Sequence, residues 1–471
     1  MTTLKKILKL RTVVSTSAGM ALATSCYLAG LQVAIILVGE LAWISIMVAG
    51  IFCLFAAMCF SELTSLYPTA AGIKLFIQNA FNEKAAIAIG AFYVILGISM
   101  VGAESYLLSS VLTDTFIVFS LNIDKFLWML VFILFVALVN YRGIFITGLV
   151  QDILAYSMLS FLVVVSFYSF GVNGVDISSA IHSSEFTLAN VVKAAGVGVF
   201  LYVGFEWVTP LAEETTDYRM IGRGMLLAIG ILSVVYSLFV VAMYTGLSEE
   251  QLVSGSPIPH IVFARNLFGP IGVAIFIVMS ILASVTSFNA GLLNTSRFAY
   301  AMARDNVLPR VFSHLHPDYA TPWVAILALL IFAVSISLLI LFSGQYLFII
   351  VMAAALECII YVVMALCVLR LRKKFPDKER SFKVPFGRLI PIITIIVFSG
   401  LALGLFADVS RDYTGEVLFA NYWVAVVMAL CAMLTTLYTL KVVPIFKKKA
   451  ALKAQSRKRR RPGRDQSATQ D

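Results

Sequence analysis

The amino-acid sequence predicts an all-α polytopic membrane protein of twelve transmembrane helices, and three observations predict it. The 471 residues are 61% hydrophobic and 13% charged, with a mean hydropathy of +0.95, which excludes a water-soluble fold. Apolar stretches of spanning length recur throughout, because about 20 helical residues rising ~1.5 Å each cross the ~30 Å hydrocarbon layer. The basic residues between those stretches fall on one side: 31 of the 35 Lys and Arg lie in segments that a cytoplasmic N-terminus places inside, leaving Lys125, Lys193, Arg265 and Arg411 outside. Both termini are therefore expected in the cytoplasm.

Residues 1–11 form a short basic N-terminus, and the first span is drawn over 12–37. Lys5 to Arg11 ahead of an apolar run resembles a signal peptide, but the run is too long and lacks a convincing small-residue cleavage site. Ala23-Thr24-Ser25-Cys26 is a degenerate lipoprotein box only. The second span, 41–66, carries Glu62 near its cytoplasmic end, read as structural. The third, 86–111, contains Glu104. The fourth and fifth run over 126–144 and 149–170, with Asp152 near the start of the fifth, also read as structural. The sixth, 190–212, holds Glu206 near its middle, beside Gly204, where a glycine loosens a helix. Spans at 222–246, 268–302 and 322–343 follow, then a tenth at 345–371 with Glu357, and two more at 389–408 and 421–443.

The net charge of +10 and the run Arg457-Lys458-Arg459-Arg460-Arg461 invite a nucleic-acid reading. Juxtamembrane basic runs ordinarily fix topology or meet anionic lipid headgroups, so no nucleic-acid partner is assigned. Residues 444–471 are expected to be a basic disordered tail. The six Cys sit in apolar segments without a C-x-x-C pair, and the four His fall in loops. They support no metal site, cofactor or nucleophilic catalysis.

The chemistry lies in the polar groups at membrane depth. Glu104, Glu206 and Glu357 each carry a carboxyl that costs at least ~2.5–3.5 kcal/mol, if charged, at a helix centre, and no Lys or Arg is placed comparably deep in the sequence. Each must be protonated, solvated by a cavity or paired with a cation from elsewhere: a bound amine, a metal ion or a transported proton. The first span has its own irregularity, small and hydroxyl residues from Ser15 to Ser25, which puts Ala23-Thr24-Ser25 about 18 Å deep. Close helix packing explains such residues, and so does a helix break whose N–H groups meet a carboxylate. Irregular first and sixth spans suit an inverted repeat of five plus five helices with the site between the breaks. The repeats are then 12–170 and 171–371, with 372–443 holding a cytoplasmic loop and helices eleven and twelve.

Four stretches carry a family resemblance. The longest is Asn294-Thr295-Ser296-Arg297-Phe298-Ala299-Tyr300-Ala301-Met302-Ala303-Arg304-Asp305-Asn306-Val307-Leu308-Pro309, followed by His316-Pro317 and Thr321-Pro322-Trp323. The others are Ser61-Glu62-Leu63 with Tyr67-Pro68-Thr69-Ala70-Ala71-Gly72, Gly204-Phe205-Glu206 with Ala212-Glu213-Glu214, and Leu369-Arg370 through Phe382-Lys383-Val384-Pro385. In type and order they resemble amino acid-polyamine-organocation permeases. The resemblance implies a leucine-transporter-like fold, alternating access, and substrates that are amino acids, polyamines or related amines. It implies that Ala23, Thr24 and Ser25 cradle a substrate carboxylate, and that Tyr202, Gly204, Phe205, Glu206 and Trp207 supply an aromatic lid and contacts to the amine. Two departures stand out: Ala23-Thr24-Ser25 replaces a G-S-G-like stretch, and Met158 aligns where many proton-coupled relatives carry a Lys.

The expectation is a secondary transporter of a small amino acid or amine in the inner or plasma membrane, working by proton symport or by exchange. Its three buried carboxyls favour a cationic substrate. A transporter-like sensor is the alternative, though only a short basic tail follows the last span. An enzyme lacks catalytic groups at membrane depth, and a channel lacks a continuous polar stripe.

Overall fold

A computed structural model of the chain describes residues 4–23, 42–118, 123–175, 195–196, 198–248, 251, 259–411 and 417–459. In chain order the helices are α1 (Leu10–Ala21), α2 (Ala42–Leu66), α3 (Gly72–Ala80), α4 (Glu83–Val118), α5 (Lys125–Tyr141), α6 (Ile144–Asn173), α7 (Arg219–Gly246), α8 (Pro259–Arg304), α9 (Trp323–Ser343), α10 (Tyr346–Lys374), α11 (Leu389–Ala407), α12 (Tyr422–Lys441) and α13 (Val443–Arg459). A 3₁₀ helix covers Phe205–Glu213 between α6 and α7. Among the described residues nine helices are long and apolar enough to cross a membrane, and α5 is a shorter apolar helix.

Local chemistry explains many of the boundaries. Asp124 caps α5 by accepting the Phe126 N–H at 2.7 Å, and Asn82 accepts the Ala85 N–H at 2.9 Å at the start of α4. Gly143, with φ 112°, turns the chain between α5 and α6, and Gly344, with φ 68°, ends α9. The outer faces are apolar: on α5 alone Leu127, Val131, Leu134, Phe135 and Leu138 are exposed. In water that stripe is a liability, whereas in hydrocarbon it is the required surface.

Inside, α1 packs against α6, α7, α8 and the 3₁₀ helix, α2 against α7, and α4 against α8, α9 and α12. The irregular segments are thereby enclosed by regular helices.

The sixth span is broken at Gly204, as its irregularity suggested: the chain turns at 201–204 before the 3₁₀ segment. The structure departs from the sequence-based expectation in four places. The eighth span is longer, reaching back to Pro259 through a non-helical residue at Gly269 ahead of Pro270. The amphipathic α3 and a small hairpin, β1 (Val409–Arg411) with β2 (Val417–Ala420), occupy stretches read as loops. The tail is helical as far as Arg459 rather than disordered from 444, and Lys447 of α13 reaches Glu83 at 2.6 Å. Finally, Arg297, read from the sequence only as an inside charge, is completely buried and held by an ion pair with Glu214 at 3.0 Å.

Candidate functional site

Helix α1 stops at Ala21, where the Leu22 N–H closes onto the Ala18 carbonyl at 2.9 Å. A helix ending inside a membrane strands carbonyls that lack water, so neighbouring groups must meet them. Tyr236 of α7 donates its hydroxyl to the Ala21 carbonyl at 2.8 Å, and Ser287 of α8 donates to that of Met20 at 3.1 Å. The sixth segment breaks opposite. Gly204 adopts φ 102°, and the Trp207 N–H then returns to the Gly204 carbonyl at 3.1 Å. Ser17 of α1 donates to the Phe205 carbonyl at 2.8 Å. A Cβ on Gly204 would lie 2.3 Å from Met20 Cγ, so the backbone angle and the close approach both demand glycine.

Around this meeting of the two breaks lies a cavity. Met20 and Ala23 line it from the end of α1, and Phe200, Val203 and Trp207 from the broken sixth segment. Met100, Val101 and Glu104 come from α4, Ser287 from α8, and Ala353 and Glu357 from α10. The centre of a water-sized sphere can move within about 20 Å³, room for a single water. Loading anything of amino-acid size therefore requires the walls to move.

The walls are apolar except for the two carboxyls, the Trp207 indole and Ser287. Glu357 is 2% exposed and accepts the Trp207 Nε1–H on Oε1 at 2.8 Å. Its other oxygen, Oε2, is buried with no hydrogen-bond partner assigned among the described residues, and the Glu206 carboxyl is its charged neighbour. Glu104, 5% exposed, accepts the Ser284 hydroxyl on Oε1 at 2.6 Å. Trp207 is fixed by stacking on Tyr93, with centroids 4.2 Å apart and planes 21° from parallel. Its far edge fills the space that a side chain at Gly97 would take, 1.8 Å from Trp207 Cη2.

Four of the ten sequence-predicted site residues, Ala23, Glu104, Trp207 and Glu357, meet at this cavity. Four others stand behind it. Glu206 accepts the Tyr361 hydroxyl at 2.9 Å and the Tyr93 hydroxyl at 3.3 Å, with Glu357 as its neighbouring carboxyl. Tyr202 donates to the Ile46 carbonyl at 2.9 Å, and Phe205 packs between Phe60 and Tyr361. Gly204 sets the turn. Thr24 and Ser25 lie outside the described residues. Sequence reasoning missed Met20, Met100, Val101, Phe200, Val203, Ser287 and Ala353, which are ordinary apolar or small residues of a membrane helix. A signal existed for Gly97, which precedes Glu104 by two helical turns on one face.

The stretches that carried the family resemblance converge elsewhere, at the end where the N-terminus lies. Arg304 grips Glu213 with two hydrogen bonds of 2.8 and 2.6 Å, and the Ala70 N–H donates to the same carboxylate at 3.0 Å. The Ile7 and Leu8 N–H groups bind the Glu214 carbonyl at 2.9 and 3.0 Å. Glu62 holds Arg372 and accepts the Val384 N–H at 2.8 Å, and Asp152 takes Ser15, Thr12 and Arg11. For Glu213, just beyond the sixth span, burial pushes the carboxyl up, but the Arg304 and Ala70 hydrogen bonds and the Arg304 charge outweigh it and hold the group below its ordinary value.

Known proteins resemble this chain in sequence and in fold. A family model described as "Amino acid permease" matches residues 9–437. The methylthioribose transporter of Bacillus subtilis is 24% identical over 371 residues, covering 74% of this chain and 78% of that protein. The serine/threonine exchanger SteT of the same organism is 23% identical, covering 75% and 80%. Its branched-chain amino acid permease BcaP is 26% identical, covering 77% and 80%. Among solved structures, a manganese transporter of Eremococcus coleocola superposes with a TM-score of 0.55 at 13% identity, over 94% of this chain and 98% of that one. At that identity the likeness speaks for the fold alone.

Proposed function

We propose, since the chain belongs to the amino acid permease family, that it is a secondary transporter carrying a small amino acid or related amine across the plasma membrane by alternating access. The observation that carries this is the cavity where the ends of α1 and of the broken sixth segment meet, lined by Glu104, Trp207 and Glu357. The two breaks bring hydrogen-bonding groups into a site otherwise walled by apolar side chains, the arrangement that holds a polar solute at membrane depth.

In this reading the ionic network of Glu213, Glu214, Arg297 and Arg304 closes the cytoplasmic end, where the positive-inside bias also places both termini. Opening toward the cytoplasm then requires those pairs to separate. Transport proceeds by symport with protons or by exchange, with the buried carboxyls as the groups able to carry positive charge. The test is counterflow in proteoliposomes, loaded in turn with unlabelled amino acids and small amines and challenged with the labelled form. Accumulation above the equilibrium level is expected for at least one compound. Folded, reconstituted protein that accumulates none of them would refute the assignment.

A further inference from the structure

Far from the cavity, cations of two helices converge on the turn between α3 and α4. The Arg370 guanidinium of α10 lies over the Phe81 ring, 4.4 Å from its centroid. Lys374, one helical turn further along α10, donates from Nζ to the Asn79 carbonyl at 2.9 Å. Lys447 of α13 reaches Glu83 Oε1 at 2.6 Å. Arg370 and Lys374 are exposed, and neither pairs with a carboxylate among the described residues. The corner therefore carries more positive charge than Glu83 balances. A contact with a ring face also leaves guanidinium N–H donors available, and Arg370 spends none on another described residue.

Helix α13 extends this surface beyond the last span. Between residues 441 and 464 the sequence holds eleven Lys and Arg and no Asp or Glu. Lys448 and Lys449 are exposed, as are the apolar Ile445 and Leu452. A helix that mixes cations with apolar side chains, and starts where α12 ends, complements a surface that is anionic at its headgroups and apolar just beneath. The Lys447–Glu83 pair is open to water, with 37% and 49% of the two side chains exposed, and so open a pair is weak enough to exchange for a phosphate. The helix dipole explains cations in the last turn of α10, but not their gathering with a lysine of another helix on residues 79–83.

We propose that this corner docks the phosphate of an anionic phospholipid in the adjoining leaflet, with Arg370, Lys374 and Lys447 as its cationic contacts and Glu83 as the group it displaces. The site is separate from the cavity and does not depend on the transporter reading. It joins the ends of α4 and α10, the helices that bring Glu104 and Glu357 to that cavity.

The experiment titrates the purified full chain, in neutral detergent, with phosphatidylglycerol, phosphatidylcholine and glycerol 1-phosphate, and reads bound adducts by native mass spectrometry. Each cation beside an anionic lipid contributes about fivefold in affinity, so phosphatidylglycerol should bind on the order of a hundredfold tighter than phosphatidylcholine. Glycerol phosphate, which lacks the acyl chains, should bind far more weakly than phosphatidylglycerol. Arg370→Gln combined with Lys374→Gln should weaken phosphatidylglycerol about 25-fold and leave phosphatidylcholine unchanged. Glu83→Gln, which frees Lys447, should instead tighten phosphatidylglycerol by about two- to fivefold. Equal affinity for the two lipids, glycerol phosphate binding as tight as the lipid, or wild-type phosphatidylglycerol affinity in the double variant overturns the inference. So does displacement of phosphatidylglycerol by an equal concentration of a single-stranded oligonucleotide, which would mark a nucleic-acid surface instead. The two sets of variants carry opposite signs, so misfolding cannot imitate both results.

Discussion

Gly97 decides whether Trp207 can serve the cavity, and replacing it with Ala gives the sharpest check on the site. An ideal Cβ at position 97 would lie 1.8 Å from Trp207 Cη2, 2.2 Å from Cζ3 and 3.1 Å from the Thr295 hydroxyl. Carbon atoms rest ~3.5–4.0 Å apart, so the indole must retreat by nearly 2 Å. It cannot do so freely, because Tyr93 stacks on it at 4.2 Å and is itself buried. The retreat breaks the 2.8 Å bond from Nε1 to Glu357 and leaves both groups unsatisfied in a dry interior. Overpacking contributes ~1–3 kcal/mol and the lost hydrogen bond to a carboxylate ~1.5–3 kcal/mol. The better helix propensity of Ala returns only ~0.5–1 kcal/mol. A net loss of about 2–5 kcal/mol is expected, read as a fall in apparent melting temperature in detergent at a fixed scan rate. In a Trp207→Phe background the ring no longer reaches position 97, and the same Gly97→Ala change should be neutral or slightly stabilising. Equal effects in the two backgrounds would refute the reasoning.

Other residues test other parts of the argument. Tyr361→Phe removes the 2.9 Å donor to Glu206 and should destabilise by about 1–3 kcal/mol, whereas Tyr93→Phe, losing a 3.3 Å contact, should cost less; the reverse ranking in thermal unfolding would misplace Glu206. Gly204→Ala forces a side chain into φ 102° and against Met20, for about 2–4 kcal/mol, and Met20→Ala should recover only the steric share in a double-mutant cycle. Glu213 has a folded pKa below its unfolded value, so its stabilisation is complete above the unfolded value of ~4.3 and is lost only as pH falls through the lower folded one. Glu213→Gln should therefore lower the apparent melting temperature equally at pH 7 and pH 5, and a deficit already absent at pH 5 would contradict the pairing with Arg304.

Much of the fold was legible because the bilayer writes in length and polarity. Spans at 41–66, 322–343, 345–371 and 389–408 fall within a few residues of α2, α9, α10 and α11, since a run that long and apolar has only one way to satisfy its backbone in lipid. Polarity was silent about the sixth segment. Its residues are apolar enough to count as a span, and the turn at 201–204 depends on Gly204 and on α1 coming close enough to make glycine necessary. Hydropathy also could not find α3 or the hairpin, whose formation depends on what they rest against.

The site was legible by burial cost but not by direction. Counting carboxyls at membrane depth brought out Glu104, Glu206 and Glu357, and all three are indeed at most 5% exposed. Depth cannot say which way a carboxyl points. Glu206, the most central of the three by sequence, turns to Tyr93 and Tyr361, while Glu104 on α4 and Glu357 on α10 share the cavity. The neighbouring position, Trp207, joins the two sets, stacking on Tyr93 and donating to Glu357. A movement of the sixth segment therefore acts on both at once: displacing the indole removes the Nε1 donor from Glu357 and loosens the packing that holds Tyr93 on Glu206. Coupling between ligand and proton needs such a shared element, one whose position both partners bias. Trp207→Phe, which keeps an aromatic ring and removes the Nε1 donor, should accordingly weaken the dependence of ligand affinity on pH more than it weakens affinity itself. An unchanged pH slope beside a lowered affinity would confine Trp207 to a wall of the cavity.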